Sequence, residues 1–325
     1  MRSFQNLLSG TTQAISKQNQ EVVVSKSCHM VKVLVMSRAL RIFHGAFGRV
    51  ALLGMDESLV PHAHSECHVL LKASGGDTFF SVRNRQQPLT DHTAVLVNAW
   101  EPHSYDHQHG SDDTVILALY IDPNWLAALK DTLSLSGRSD FFSQPCIQLT
   151  PSIRTKADLL ISDVLSFDTI QSQRLEGMLF DLMISIIERY SDWIHLSRLR
   201  VSSAGGFHDA RIRKAKELIL NKPQGDLDME AIARECGLSR AQFFALFRKN
   251  TGMTPQMLAN IGKMQLAFQW LSENRSCTLG NLSDTLGFSC QGHFTRFFRR
   301  HIGASPSQYH RTIDVYPTQS SDICR

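Results

Sequence analysis

Two groups of residues have the types and spacing to do chemistry. One is a set of histidines, Pro61-His62-Ala63-His64 with His68 shortly after. The other is a set of cations, Arg296, Arg299 and Arg300, near the C-terminal end. His62 and His64 are two apart and on a strand would share one face. A straight strand would hold His62 and His68 about 20 Å apart, so gathering all three imidazoles requires a bend before His68. Gathered imidazoles suit a divalent transition ion, or line a pocket and hydrogen-bond an organic ligand. The arginines suit nucleic acid, as forked donors to guanine edges or as cations against phosphate.

The elements that must position them can be read along the chain. At 325 residues, with 42% hydrophobic and 20% charged residues, the chain has material for two globular domains. No apolar run reaches membrane-spanning length, and residues 1–20 are polar, without a signal-peptide core. Seven cysteines (28, 67, 146, 236, 277, 290 and 324) are irregularly spaced with no C-x-x-C pair, which argues for reduced thiols and a cytoplasmic setting. The net charge of +4 is uneven. Residues 207–314 carry 15 Lys/Arg against 9 Asp/Glu (+6), and residues 1–206 carry 18 against 20 (−2). The basic excess therefore lies in one segment, as a polyanionic partner would require.

Apolar, β-branched runs at Val31–Val35, His68–Leu71, Thr78–Val82 and Val115–Leu119, separated by turn residues, predict a sandwich or barrel. After Pro151 the period changes. Leu175, Met178, Leu179, Leu182, Met183, Ile186, Ile187, Tyr190 and Ile194 fall at helical steps, preceded by a shorter helix over 156–165. That apolar stripe serves either dimerisation or the internal core. Val201–Gly206 reads as a linker, and the sequence beyond it is helical to about 311.

The last third contains a duplication. Gly237-Leu238-Ser239 returns as Gly287-Phe288-Ser289, and Phe243, Phe247-Arg248-Lys249, Gly252 and Thr254-Pro255 return as Phe294, Phe298-Arg299-Arg300, Gly303 and Ser305-Pro306. Each copy reads as two helices joined at a glycine free to adopt positive φ, with Ser239 or Ser289 capping the second helix. With Phe294 and Phe298 inward, Arg296 points out, and Gln291, Gly292 and Thr295 lie near the same face. The matching outward positions in the first copy are Ala241 and Ala245, which can touch only a thymine methyl. Arg240, Gln242, Arg248 and Lys249 flank them as phosphate contacts.

On these features, over about residues 208–311, the sequence resembles the AraC/XylS family of transcription regulators. Lys263, Ser283 and His310 depart from the usual family residues. The resemblance implies two helix-turn-helix units joined by a long helix, here about Pro255 to Leu271, with base-contacting positions in the second unit. The histidine segment, with Gly75 and Glu101-Pro102-His103, resembles the two motifs of cupin barrels, with His68 where an acid is usual. It implies a cupin-like sensor whose pocket uses His62, His64, His68 and His103.

The expected fold is α+β: a flexible 1–20, a cupin-like effector-sensing domain over 21–150, a helical dimerisation or packing segment over 151–200 and a linker at 201–207. An all-α DNA-binding domain over 208–315 and a tail at 316–325 complete it. The expected function is sequence-specific DNA binding under control of a small-molecule effector. The expected partners are double-stranded DNA, that effector, a second copy of the chain, and RNA polymerase in the case of an activator. No membrane, metal, cofactor or catalytic residue is expected. The competing reading, a cupin-type metal-dependent oxygenase or isomerase fused to a helical domain, leaves the duplicated basic helices without a role. An interaction scaffold does the same. Ser-His-Asp order, P-loop and dinucleotide fingerprint are absent from the sequence.

Overall fold

The computed structural model describes residues 38–107, 113–166, 169–191, 209–222, 227–273 and 278–316. The expected strand at 31–35, the 1–20 segment, the 201–207 linker, residues 317–325, and Cys28, Ile194, Cys277 and Cys324 lie outside them.

The N-terminal part is built of β1 (Arg38–Gly45), β2 (Gly48–Met55), β3 (Leu59–His62), β4 (Cys67–Gly75), β5 (Thr78–Val82), β6 (Arg85–Leu89), β7 (Thr93–Val97), β8 (His103–Asp106), β9 (Thr114–Ile121) and β10 (Cys146–Gln148). A seven-stranded sheet has the order β10-β7-β4-β9-β2-β1 and ends on β11 (Ile313–Val315), and a four-stranded sheet has the order β3-β8-β5-β6. Strand β9 explains why its sequence is an unbroken apolar run: all eight residues are buried because the larger sheet is covered on both faces. Ile116, Ala118 and Tyr120 face inward, together with Phe80, Val82, Leu89 and Tyr105 of the smaller sheet. Leu117, Leu119 and Ile121 face outward against helices, as the two-residue period of a strand dictates.

Those helices are α1 (Pro123–Leu129), α2 (Pro151–Ser166) and α3 (Ser172–Tyr190). In α3, Leu175, Leu179, Leu182, Met183, Ile186 and Ile187 are fully buried in the same cluster as the outer face of the sheet. Of the two uses left open for the stripe, these six residues serve the internal core.

The C-terminal part comprises α4 (Ala210–Leu220), α5 (Met229–Glu235), α6 (Arg240–Thr251), α7 (Pro255–Glu273), α8 (Leu279–Thr285), α9 (Gln291–Ile302) and α10 (Pro306–Thr312). Gly237 and Gly287, at φ 68° and 74°, make the two predicted turns. The second helices start differently. Ser239 caps α6 through a reciprocal capping box with Gln242. In the second unit the extra residue moves the cap position to Cys290, which makes no side-chain cap, and the Ser289 hydroxyl meets His293 Nδ1 at 2.6 Å instead. The expectation that Ser289 caps α9 is therefore corrected. Ser283 is fully buried with no hydrogen-bond partner for its hydroxyl, a cost of about 1–3 kcal/mol where the family usually has alanine.

Helix α7 joins two separate cores. Leu258, Ala259 and Ile261 pack with Phe243 and Phe247 of the first unit. Met264, Ala267 and Leu271 pack with Phe294 and Phe298 of the second. At 1.5 Å per residue its 19 residues span ~28 Å.

The C-terminal region is helical up to Thr312, and its last residues then turn to sheet. Residues Ile313–Val315 form β11, parallel to β1 with Ile42 opposite Ile313 and His44 opposite Val315. Tyr316 follows, stacked on Phe43 at 6.0 Å, with its hydroxyl donating to the Ile170 carbonyl at 2.5 Å. The end of the helical region is thereby stitched to the edge of the sensor's sheet, and the second unit shares one apolar cluster with the barrel interior.

Candidate nucleic-acid interface and ligand cleft

On α9, Phe294 and Phe298 are buried, and Gln291, Gly292, Arg296 and Arg300 are exposed, with Thr295 half-buried. The helix terminates at Gly303, at φ 78°, where an added Cβ would come within 3.0 Å of Met55. The backbone of the second unit therefore lies directly on the barrel. On α6, Arg240, Ala241, Gln242, Ala245, Arg248 and Lys249 are exposed around buried Phe243 and Phe247. Gln242 accepts from the Ser239 N–H through its side-chain oxygen at 3.1 Å, a bond that does not use the amide NH2 through which it would donate to phosphate. Arg240 lies 5.8 Å from the Phe244 ring.

Arg299 is not presented freely. Its Nη2 meets Glu57 Oε1, in the segment between β2 and β3, at 2.9 Å, and its Nε is buried without a partner. A half-exposed pair of this kind contributes about 0–1 kcal/mol. Glu57→Gln is therefore expected to raise the affinity of the full chain for nonspecific duplex DNA by up to about fivefold at low salt, measured by fluorescence anisotropy. Unchanged affinity would mean that Arg299 is already available or is not a phosphate contact.

The bend between β3 and β4 brings the four histidines together. His62 and His103 pair across β3 and β8, with rings 4.3 Å apart. His64 Nε2 lies 3.2 Å from His68 Nδ1, and the His68 ring stacks on Tyr120 at 4.1 Å. The Nδ1 atoms of His62, His64 and His103 approach the carbonyls of Val60, Glu66 and Glu101 at 2.8, 3.0 and 2.9 Å. Donation there fixes one tautomer and leaves each Nε2 as a lone pair. Burial drives all four pKa values well down, that of His103 to about 3, so the cluster is neutral at pH 7. One ring nitrogen from each of His64, His68 and His103 lies within 4.8 Å of the others, and His68 Nε2 and His103 Nε2 are buried without partners. Neutral imidazoles held by carbonyls in this way fit a divalent transition ion, and these three would be its ligands.

His62 and His64 also border a cleft that runs from the barrel mouth to α7 and α9. Arg49, Glu66 and Tyr120 line it from the barrel, and Ile261, Met264, Phe268, His301 and Ile302 line it from the helices. His68 and His103 lie behind it. Sequence reading missed Arg49, Glu57, Phe268 and β11.

A family model described as the AraC-like ligand binding domain matches residues 51–179, and a helix-turn-helix domain model matches residues 232–312. The chain belongs to the AraC family. The Msm operon regulatory protein of Streptococcus mutans is 28% identical over 137 residues, 42% of this chain and 47% of that protein. The probable transcriptional regulator LumQ of Photobacterium leiognathi is 38% identical over 72 residues, 22% of this chain and 29% of that protein. The chain thus spans less than half the length of these curated relatives. A crystal structure of apo ToxT K231A from Vibrio cholerae is similar in fold, with a TM-score of 0.50 at 12% identity over 82% of this chain and 97% of that one. Among the described residues of this AraC-family chain, no helix is long and apolar enough to cross a membrane.

Proposed function

We propose that this AraC-family chain is a sequence-specific DNA-binding transcription regulator whose DNA affinity is set by a small molecule. The observation that carries this reading is the pair of basic helices α6 and α9, each ended by a left-handed glycine and held on opposite halves of α7. Their separation is set by a helix ~28 Å long, comparable to the ~34 Å between successive major grooves on one face of a duplex. Each chain would then cover an asymmetric site, with Arg296 reading a base and Arg248, Lys249 and Arg300 gripping phosphates. Arg299 would join them once released from Glu57. The small molecule would sit in the cleft that the barrel shares with α7, where it touches both the sensor and the helix that spaces the two units. A second copy of the chain and RNA polymerase are further partners under this reading.

Arg296→Ala tests the division of labour. It is expected to weaken binding to a selected site by ~1–3 kcal/mol and to relax preference at one base pair. Arg300→Ala should weaken every sequence alike and reduce the salt dependence. Equal loss on selected and random duplexes for Arg296→Ala would remove it from base reading.

A further inference from the structure

Strand β2 reads Gly-Arg-Val-Ala-Leu-Leu-Gly-Met, and Arg49 is the one charge in it. Arg49 shares its face with Ala51 and Leu53, so it points inward, and it is only 6% exposed. Its guanidinium is sandwiched between two rings, 3.8 Å from Tyr120 of the barrel and 4.1 Å from Phe268 of α7. Rings stabilise a cation but accept no hydrogen bonds in their plane. Nε and Nη1 of Arg49 are buried without a hydrogen-bond partner, as is the nearby Tyr309 hydroxyl. Among the described residues no carboxylate forms an ion pair with Arg49; Glu66 acts on it only at longer range. Burial opposes the charge, yet Tyr309, Tyr120 and Glu66 hold its pKa above the ordinary value, so the group is a cation. Burying a cation without a counter-charge is unfavourable, and this one lines the cleft.

We infer that the cleft binds a small organic carboxylate with an apolar body, the carboxylate accepting from Arg49 and the body lying against Ile261, Met264, Phe268 and Ile302. A monoanion matches Arg49, the one Arg or Lys among the residues that line the cleft. A doubly charged phosphate ester would be left with an unmatched charge beside Glu66. A carboxylate is planar and takes two parallel N–H bonds from a guanidinium. Arg49 leans on Phe268, and α7 carries both helix-turn-helix units, so drawing the guanidinium toward a ligand changes the packing of the helix that spaces them. Assigning this ligand the role of effector rests on the regulator reading; its binding does not.

The test titrates the full chain calorimetrically with benzoate, phenylacetate and hexanoate, each against its neutral amide, and with phenyl phosphate. At least one carboxylate is expected to bind saturably and at least ~tenfold more tightly than its amide. Arg49→Met should abolish that preference while leaving the unliganded melting temperature at or above that of the unaltered chain, because an apolar side chain of similar size replaces a buried charge. Arg49→Lys, which keeps the charge but not the fork, should retain part of the preference. Equal binding of acids and amides, an undiminished preference in Arg49→Met, tighter binding of phenyl phosphate, or no binding of any carboxylate would each overturn the assignment. DNA affinity of the unliganded chain, measured separately, keeps the two readings apart: carboxylate binding through Arg49 without DNA binding would defeat only the regulator reading.

Discussion

Lowering the pH from 7 to 5 is expected to destabilise the chelator-treated protein by about 2 kcal/mol through His103 alone, from a folded pKa of about 3 against an ordinary 6.5. The sign follows from which state holds the protons. A folded pKa below the unfolded one means that the unfolded chain binds protons first. Stability is therefore fully present above ~6.5 and is lost as the pH falls from there toward the folded pKa. His62, His64 and His68 are shifted in the same direction, first by burial and then by their neighbours. The groups facing the cluster reinforce this: Arg49 opposes protonation of His62, His64 and His68, and His301 opposes that of His62. The Glu66 carboxylate also faces it, 3.6 Å from His64 Nδ1. Urea midpoints measured at half-unit steps check the expectation. A midpoint that does not move between pH 7 and pH 5 would mean that the imidazoles are not buried neutral.

Phe298→Ala is expected to cost about 3–5 kcal/mol, the usual penalty for emptying a fully buried aromatic site. Phe298 is 0% exposed, within 6 Å of Phe268, Phe294 and Tyr309, and its cluster continues into the barrel interior. The loss should therefore spread, accelerating amide exchange in β2 and β9 as well as in α8 and α9. Phe247→Ala removes an equally buried ring from the other core and should accelerate exchange in α4, α5 and α6 while leaving β9 protected. Exchange mass spectrometry on both variants separates the cases. Protection of β2 and β9 unchanged by Phe298→Ala would show that the barrel and the second unit do not share a core.

What was legible in the sequence followed from local rules. The two helix-turn-helix units rest on contacts within about twenty residues, so period, glycine and phenylalanine spacing locate them. The gathering of His62, His64, His68 and His103 was legible through motif spacing, and the needed bend falls between β3 and β4. What escaped depends on partners far away in the chain. Ile313-Asp314-Val315 is too short to declare itself a strand without β1, more than 260 residues earlier. Glu57 and Arg299 are 242 residues apart, and neither side chain announces the other. The cap at Cys290 was missed because one inserted residue shifts a helix start without disturbing the Phe294 and Phe298 spacing. Arg49 left a trace, a lone cation inside an apolar strand, and its meaning depended on Phe268 and Tyr309 arriving from the other end of the chain.

The central claim is that α6 and α9 together read duplex DNA, and the most direct test is selection of bound duplexes from a random pool by the full chain. Two conserved blocks with centres about one helical turn, ~34 Å, apart and unlike each other in sequence are expected. The stronger block should contain a guanine whose enrichment disappears in Arg296→Ala. A pool that shows no enrichment over random sequence, or a single block no longer than half a turn, would contradict the account.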